Sequence, residues 1–316
     1  SAPPILRKQG RLMKILLATD GSNGARTAVD LLISFPFPAN SSATVMAVID
    51  DRVFAVDMPR DLDVDQGRLL EEAEQALRED NEQLLADESA RLRDAGWAVS
   101  TEIRTGDPAE EIIQAGEELK PDLIVLGPHG DDGMKHFLLG SVSDRVLEHA
   151  CCSVLIARQS PRLSASAEPG APELPWRILM AYDDSEPSRK AIKFCASLPL
   201  DDSAEVNVVS VMPLIHMYRQ DIRQQMNTIW QQQKHSREKS LESAVSSLQW
   251  STPHVASELR ESANVSREII EIVEENAMDM VVLGYKGRST FKRFLIGSIT
   301  SRIAHHAPCS VLAVRN

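Results

Sequence analysis

Two segments of the chain combine glycines, cationic side chains and a closing Gly-Ser pair, which are the parts of an anion-binding loop. They are GPHGDDGMKHFLLGS at 127–141 and GYKGRSTFKRFLIGS at 284–298, and each follows a short apolar run. Both have the spacing Gly-x2-Gly-x9-Gly-Ser, which gives the candidate positions Gly127, Gly130, Gly140, Ser141, Gly284, Gly287, Gly297 and Ser298.

Each shared position has a chemical reason. The first glycine permits a turn that a β-carbon would resist, and the second lets backbone amides approach a bulky anion. The final Gly-Ser opens a helix whose free N–H groups and dipole favour negative charge. The serine either caps that helix or donates its hydroxyl to a phosphate. The spacing favours a phosphate cradle in each copy, and a turn that binds nothing remains the alternative.

Several better-known nucleotide and hydrolase motifs are absent from the sequence. No G-x4-G-K-[ST] loop occurs, no G-x-G-x-x-G follows the first strand, and no G-x-S-x-G elbow is present. A Walker-type phosphate loop, a Rossmann dehydrogenase and an α/β-hydrolase are therefore disfavoured.

The loops belong to an internal duplication. Residues 12–32 resemble 175–195, and residues 121–158 resemble 278–315 without a gap. The period is too long for a solenoid. We predict two domains, at 13–158 and 176–316. They are joined by residues 159–175, whose Pro, Ser and Ala content is typical of an extended linker.

Each half alternates strand and helix patterns. In the first half, apolar runs at 15–18 and 43–50 predict strands, and the stretch 67–95 predicts a long amphipathic helix that Gly96 ends. Asp107 and Pro108 predict a helix start, with Glu110 completing a capping box. Such alternation predicts a mostly parallel sheet with helices on both faces and ligands at the carboxyl ends of the strands.

Composition narrows the function classes. The net charge of −12 disfavours nucleic acid as the main partner, and the apolar runs are too short to span a membrane. The N-terminal residues lack an apolar core of signal-peptide length, so we expect a cytoplasmic protein. The four cysteines form no CxxC pair and no metal-ligand cluster, which is typical of buried thiols in a reducing compartment, and no metal site is predicted.

Several of these residues and motifs resemble those of a known protein family. Strand-end Asp20 and Asp183, the two glycine-serine loops and the terminal CSVL runs resemble the universal stress protein family, and the duplication resembles its tandem members. The resemblance implies two five-stranded α/β domains whose last strands pair antiparallel, which would form a pseudo-dimer within one chain and cover two sheet edges.

The resemblance also implies ATP, with Mg2+, as the ligand of these loops. The loop glycines and serines would then contact phosphates and ribose. Asp20 and Asp183 match the family's acid near the ribose or a bound metal. Val48 and Val211, late in the second strand of each half, match a position that meets adenine through its main chain.

The two copies differ in charge. The second loop holds Lys286, Arg288, Lys292 and Arg293 without an acid, for a formal +4, whereas Asp131, Asp132 and Lys135 give the first loop −1. Two unit charges about 4 Å apart interact by roughly 4 kcal/mol at an effective dielectric of 20. We therefore predict tighter ATP binding in the second half. Asp184, at the position of Gly21, adds an acid there and works against this ranking.

Three functions follow from these observations. The first is an ATP-binding stress-response regulator with at most slow hydrolysis, since no general base with a positioned partner is evident and no catalytic residue is singled out. The second is a nucleotide-independent scaffold that acts through its helical surfaces on an unknown protein partner, with further homo-oligomerisation possible. The third, an adenylating ligase, is disfavoured because the chain has no SGGxDS-type loop.

Overall fold

We describe the chain from a computed structural model, which covers residues 12–53, 64–128, 139–165, 174–214, 220–287 and 296–315. The strands are β1 (Lys14–Thr19), β2 (Ser42–Ile49), β3 (Ala98–Thr105), β4 (Leu123–Leu126), β5 (Ser153–Ile156), β6 (Trp176–Ala181), β7 (Ala204–Pro213), β8 (Val255–Ser262), β9 (Met280–Gly284) and β10 (Ser310–Val314). The helices are α1 (Asn23–Ser34), α2 (Val64–Asp94), α3 (Pro108–Leu119), α4 (Ser141–His149), α5 (Pro161–Ala165), α6 (Glu186–Ala196), α7 (Gln220–Leu248), α8 (Val265–Glu275) and α9 (Ser298–His306).

All ten strands join one sheet, in the order β3-β2-β1-β4-β5-β10-β9-β6-β7-β8. Pairing is parallel within each half, and β5 pairs antiparallel with β10, with Leu155 opposite Leu312. The predicted fold and the pseudo-dimer through the last strands are confirmed. Joining β5 to β10 satisfies backbone groups that would otherwise form two exposed sheet edges.

The central strands are apolar on both faces because helices cover both faces. On β1, Ile15 and Leu17 pack with α1 and α2, while Leu16 and Ala18 pack on the opposite side with α3 and α4. Near-continuous apolar runs are what a doubly covered parallel sheet requires. Two apolar cores result, one on each face of the sheet, and each extends across both halves.

Two arginines reinforce the join between the halves. Arg158 donates to the Ala304 carbonyl at the end of α9, and Arg315 donates to the Ala150 carbonyl at the end of α4. Burial lowers the pKa of Arg158 to about 10. Cations at helix C-termini are favourable because they meet the unpaired carbonyl groups and the negative end of the dipole.

Two expectations about local structure are wrong. The linker is not extended throughout, because Ser160 caps the five-residue helix α5, in which Ser164 N bonds the Ser160 carbonyl at 2.9 Å. Asp107 does cap α3 with Pro108 at its start, but the carboxylate of Glu110 accepts from Arg145 on α4 rather than completing a capping box. No helix in the described ranges is long and apolar enough to cross a membrane.

Candidate functional site

The loop after the first strand has the same form in both halves. Asp20 Oδ1 accepts a hydrogen bond from Ser22 N at 3.0 Å, and Asp183 Oδ1 accepts from Ser185 N at 3.0 Å. Ser22 and Ser185 then cap α1 and α6 through their hydroxyls. One oxygen of each aspartate is thereby used to hold the turn at the carboxyl end of the strand.

The strand-end glycines Gly127 and Gly284 allow the sheet to approach these turns. A β-carbon at Gly127 would lie 2.5 Å from the carbonyl carbon of Gly24, and one at Gly284 would lie 2.6 Å from that of Pro187. Among the described glycines, positive φ angles occur at Gly21, Gly96 and Gly106. The strand-end glycines therefore exclude a β-carbon as expected, although not because of a turn with a positive φ angle. They are required because β4 and β9 end against the first turns of α1 and α6.

In the second half the structure brings three of the predicted residues together. A β-carbon on Gly287 would lie 3.3 Å from Asp183 Oδ2, and one on Gly297 would lie 3.3 Å from the Cα of Lys286. Gly297 N donates to the Tyr285 carbonyl at 2.9 Å, which closes the base of the loop. The glycine loop and the aspartate turn therefore line the same small region at the carboxyl edge.

The first loop is described only at its base, where Gly140 N donates to the Pro128 carbonyl at 2.7 Å. The predicted residue Gly130 lies outside the described residues. So do most of the charged side chains on which the ranking of the loops depends, namely Asp131, Asp132, Lys135, Arg288, Lys292 and Arg293. The ranking therefore stays a prediction.

Helices α4 and α9 begin with a serine that does not act as the cap. Their N-cap residues are Gly140 and Gly297, which make no side-chain capping bond, while Ser141 and Ser298 occupy the first helical position and are exposed. The capping role considered for these serines is wrong. Because no capping side chain occupies these N-termini, their first N–H groups can donate to an anion at the loop.

Two hydroxyls that the sequence analysis missed hold the strand ends in place. Ser143 Oγ donates to the Gly127 carbonyl at 2.7 Å, and Thr300 Oγ1 donates to the Gly284 carbonyl at 2.9 Å. Both side chains are buried at the third position of their helices. The signal was present, since both copies have a hydroxyl residue two positions after the Gly-Ser serine.

Val48 and Val211 lie at the same edge of the sheet. The pairing of β1 with β2 ends at Thr19 and Ala47, so Val48 lies one residue past the last pair. Val211 lies two residues past Val209, the last partner of β6. Their main chains therefore extend beyond the ends of β1 and β6, where a planar ligand could reach them.

The turn of the second half accommodates its additional acid. Asp184 and Gly21 occupy equivalent positions with positive φ angles of 61° and 76°. Asp184 Oδ1 accepts from Tyr182 Oη at 2.9 Å and from Arg189 Nη1 at 2.9 Å. Burial raises the pKa of Asp184, but these hydrogen bonds outweigh it and hold the pKa below its ordinary value. Arg189 therefore compensates the charge that Asp184 adds.

The first half has a buried acid instead. Thr19 Oγ1 donates to Glu88 Oε1 at 2.9 Å and accepts from Gly21 N at 3.2 Å, while Glu88 Oε2 is buried without a partner among the described residues. Burial raises the pKa of Glu88, the hydrogen bond from Thr19 lowers it, and the charge of Asp20 raises it, with a net upward shift. Thr19 therefore links the turn of the first half to the buried carboxyl of Glu88, and additional negative charge near this turn is unfavourable.

Comparison with known proteins agrees with this architecture. A universal stress protein of Archaeoglobus fulgidus has a solved structure that aligns with 96% of this chain and 98% of its own, at a TM-score of 0.62 and 19% identity. At that identity the likeness shows the fold alone.

Sequence relatives match parts of the chain. A universal stress protein of Mycolicibacterium smegmatis is 27% identical over 221 residues, which is 70% of each chain. Universal stress protein MJ0531 of Methanocaldococcus jannaschii is 44% identical over 64 residues, which is 20% of this chain and 38% of that protein.

The family model for universal stress proteins matches residues 12–158 and 176–315, and so covers both halves including the aspartate turns and glycine-serine loops. The match is much longer than half of the chain. This chain therefore belongs to the universal stress protein family, with two copies of the family domain in tandem.

Proposed function

We propose that the protein binds ATP with Mg2+ at the carboxyl edge of each half and uses occupancy as a regulatory signal in a stress response. The observation that carries the proposal is the grouping of Asp183, Gly287 and Gly297 beside the N-terminus of α9, which has no capping side chain. Such an N-terminus is a general site for phosphate groups. Nucleotide binding also occurs in this family, of which one member is described in complex with cAMP.

The residues present fit the parts of a magnesium nucleotide. The N–H groups at the start of α4 and α9, with the hydroxyls of Ser141 and Ser298, would hold phosphates. The aspartates Asp20 and Asp183 suit Mg2+, which prefers oxygen ligands and is bound through one or two carboxylates together with substrate phosphates. The main chains of Val48 and Val211 would meet adenine. Any hydrolysis is slow in this proposal, which assigns no catalytic residue.

The second half is proposed to bind more tightly. Arg189 compensates Asp184, whereas the first half has Glu88 behind its turn, close enough to Asp20 for the two charges to interact. The larger number of cations in the second loop acts in the same direction. An acid near a triphosphate opposes binding unless a metal ion lies between them.

The proposal is tested by identifying what the purified protein carries. Denaturation followed by mass spectrometry should release an adenine nucleotide, and calorimetry with ATP and Mg2+ should show saturable binding. The double variant Gly140→Val/Gly297→Val should lose most of that binding. Gly67→Ala is the matched control, because a β-carbon at Gly67 meets nothing within 4 Å. Absence of both released nucleotide and ATP binding would overturn the proposal.

A scaffold function is the second candidate, and the long helices favour it. Helices α2 and α7 have 31 and 29 residues, and among their described side chains none is buried before Leu85 and Leu241, respectively. These exposed stretches include Leu69, which is 67% exposed, and Ile229, which is 46% exposed. A partner that binds the helices equally well with and without ATP would favour this candidate.

A further inference from the structure

Tyr285 connects the glycine-serine loop of the second half to helix α4 of the first half. It directly follows Gly284, and its carbonyl accepts from Gly297 N, at the N-cap of α9, at 2.9 Å. Its own main-chain N donates to the Val314 carbonyl at 2.7 Å. Tyr285 is 3% exposed, and its hydroxyl donates to the Glu148 carbonyl in the last turn of α4. One residue therefore contacts both the base of one loop and a helix of the other half.

Arg315 holds this contact in place. The Cζ atom of its guanidinium lies 4.1 Å from the centre of the Tyr285 ring, and the guanidinium donates to the carbonyl of Ala150, the C-cap residue of α4. A cation over an aromatic face is attracted by the quadrupole of the ring. The last carbonyl groups of a helix have no partner within the helix, so Tyr285 and Arg315 both donate where donors are needed. Burial raises the pKa of Tyr285, which keeps its hydroxyl protonated.

The opposite end of α4 belongs to the loop of the first half. Gly140 is the N-cap residue of α4, and its N–H donates to the Pro128 carbonyl at 2.7 Å. In the first turn, Ser143 Oγ donates to the Gly127 carbonyl at 2.7 Å. With nine residues the helix is about 13 Å long. Helix α4 thus extends from the phosphate site proposed for the first half to Tyr285, which lies beside that of the second.

The contact is not repeated in the opposite direction. The internal repeat aligns Tyr285 with Pro128 and α4 with α9. Proline has no N–H and no side-chain donor, so Pro128 can make neither the hydroxyl bond nor the main-chain N–H bond that Tyr285 makes. The arginine contact is kept, since Arg158 donates to a carbonyl of α9 as Arg315 does to the C-cap of α4. At this position the two halves are therefore asymmetric.

We propose that the two nucleotide sites are coupled through Tyr285 and α4, so that ATP in the second half tightens ATP binding in the first. This inference rests on the proposed function, because it requires a nucleotide at both sites. Phosphates at the second loop hold Gly297, and with it the main chain of Tyr285. The Tyr285 hydroxyl then keeps the last turn of α4 formed, and an anion at the first turn favours the same helical state.

Such coupling requires two states of α4, one with its last turn formed and one with that turn frayed. Each ligand favours the formed state, and a ligand shifts an equilibrium only by its difference in affinity for the two states. Coupling free energies are reciprocal, so ATP in the first half tightens the second by the same factor.

Calorimetry with ATP and Mg2+ measures the coupling. In the parent protein the second half is expected to fill first, so the weaker class of sites reports the first half with its neighbour occupied. Gly287→Ala/Gly297→Val blocks the second site. The first half of this variant should bind ATP at least about fivefold more weakly than the weaker class of the parent protein, a factor typical of allosteric coupling.

Tyr285→Phe tests the residue that carries the coupling, because it removes only the hydroxyl. It should weaken the weaker class of sites by most of that factor, and it should have no further effect when the second site is blocked. Tyr182→Phe is the matched control, since the Tyr182 hydroxyl donates to Asp184 in the turn of the second half. The ratio between the affinities of the first half with the second site occupied and blocked should persist in this control.

Hydrogen exchange gives a second readout, at α4 itself. In Gly130→Ala/Gly140→Val, where only the second site is intact, saturating ATP should slow exchange severalfold at the amides of residues 147–150. Adding Tyr285→Phe should abolish this protection. Helix α1, at the turn of the blocked site, is the internal control and should not change.

Three results would overturn the coupling: equal affinity of the first half with the second site occupied and blocked, equal coupling in Tyr285→Phe and the parent protein, or unprotected α4 amides. ATP binding at one site, or at two independent sites, would overturn the coupling and leave nucleotide binding itself standing. Absence of ATP binding would overturn both proposals.

Discussion

The two halves build the same turn on different buried supports. In the first half Thr19 lies against the buried acid Glu88 of α2. In the second half Tyr182 takes the place of Thr19, and Ala244 of α7 takes that of Glu88. The buried positions 85, 88 and 92 of α2 repeat at 241, 244 and 248 of α7, which supports this correspondence. In the first half a small residue, Thr19, is paired with a large one, Glu88. In the second half a large residue, Tyr182, is paired with a small one, Ala244.

This difference shows which features the fold requires and which it can exchange. Both halves keep the strand-end glycine, the aspartate turn and the helix without a capping side chain. The polar group behind the turn is the carboxyl of Glu88 in the first half and the phenol of Tyr182 in the second. This exchange is tolerated because close packing depends on the total volume of the two paired side chains. The electrostatic character of the two sites differs as a consequence.

The largest loss of stability is expected at the strand-end glycines, which both halves share. Gly127→Ala and Gly284→Ala should each lower the free energy of unfolding by about 3 kcal/mol, because the added carbon would overlap helix backbone. Gly287→Ala should cost much less, since its nearest neighbour is a carboxylate oxygen of Asp183 at 3.3 Å. Urea denaturation measures all three variants. A strand-end variant as stable as Gly67→Ala would contradict the packing role of that glycine.

Substitutions at positions 19 and 88 test whether the two side chains compensate each other in volume. Thr19→Tyr alone should destabilise the protein by about 2 kcal/mol through overpacking against Glu88. Adding Glu88→Ala should recover at least half of that loss, because it makes the room that Ala244 provides in the second half. A double-mutant cycle from chemical denaturation gives the coupling. Strictly additive effects would show that the two positions do not compensate each other.

Nucleotide titration tests whether the second half is the stronger site. Gly287→Ala/Gly297→Val should weaken the tighter class of ATP sites by at least about tenfold, which corresponds to 1.4 kcal/mol. Gly130→Ala/Gly140→Val should leave that class largely unchanged and affect only a weaker one. Calorimetry in excess Mg2+ separates the two classes. A greater loss from the first-half pair would reverse the ranking.

The smallest effect is a pH dependence confined to the first half. Because the pKa of Glu88 is raised in the folded protein, the unfolded chain loses this proton at lower pH. Stability should therefore fall as the pH rises from 4.5, the ordinary pKa of a glutamate, through the raised pKa of the folded protein, and Glu88→Gln should remove this fall. Urea denaturation across that range measures the difference. Glu82→Gln, at an exposed position of α2, is the control, and parallel curves for the two variants would contradict the assignment.

The sequence predicted the fold well because the duplication repeated every signal. Apolar runs gave the strands, the Glu- and Leu-rich stretch gave α2, and Gly96, with a φ of 91°, ends that helix as expected. The capping box at Glu110 was wrong because Arg145, distant in sequence, competes for the carboxylate. The short helix in the linker was missed because Asp279, more than 100 residues away, holds Ser160 and Arg162.

The sequence by itself determined the tandem α/β organisation and the family, and it predicts the edge of the sheet at which a ligand would bind. These depend on local patterns and on a repeat that can be read directly. The tertiary structure decided why Gly127 and Gly284 are glycines, that Ser141 and Ser298 are not caps, and how Asp184 is compensated. It also revealed a cavity of about 580 Å3 beside Asp122. Each of these depends on close contact between segments far apart in the chain, and close packing across such distances leaves no periodic signal in a sequence.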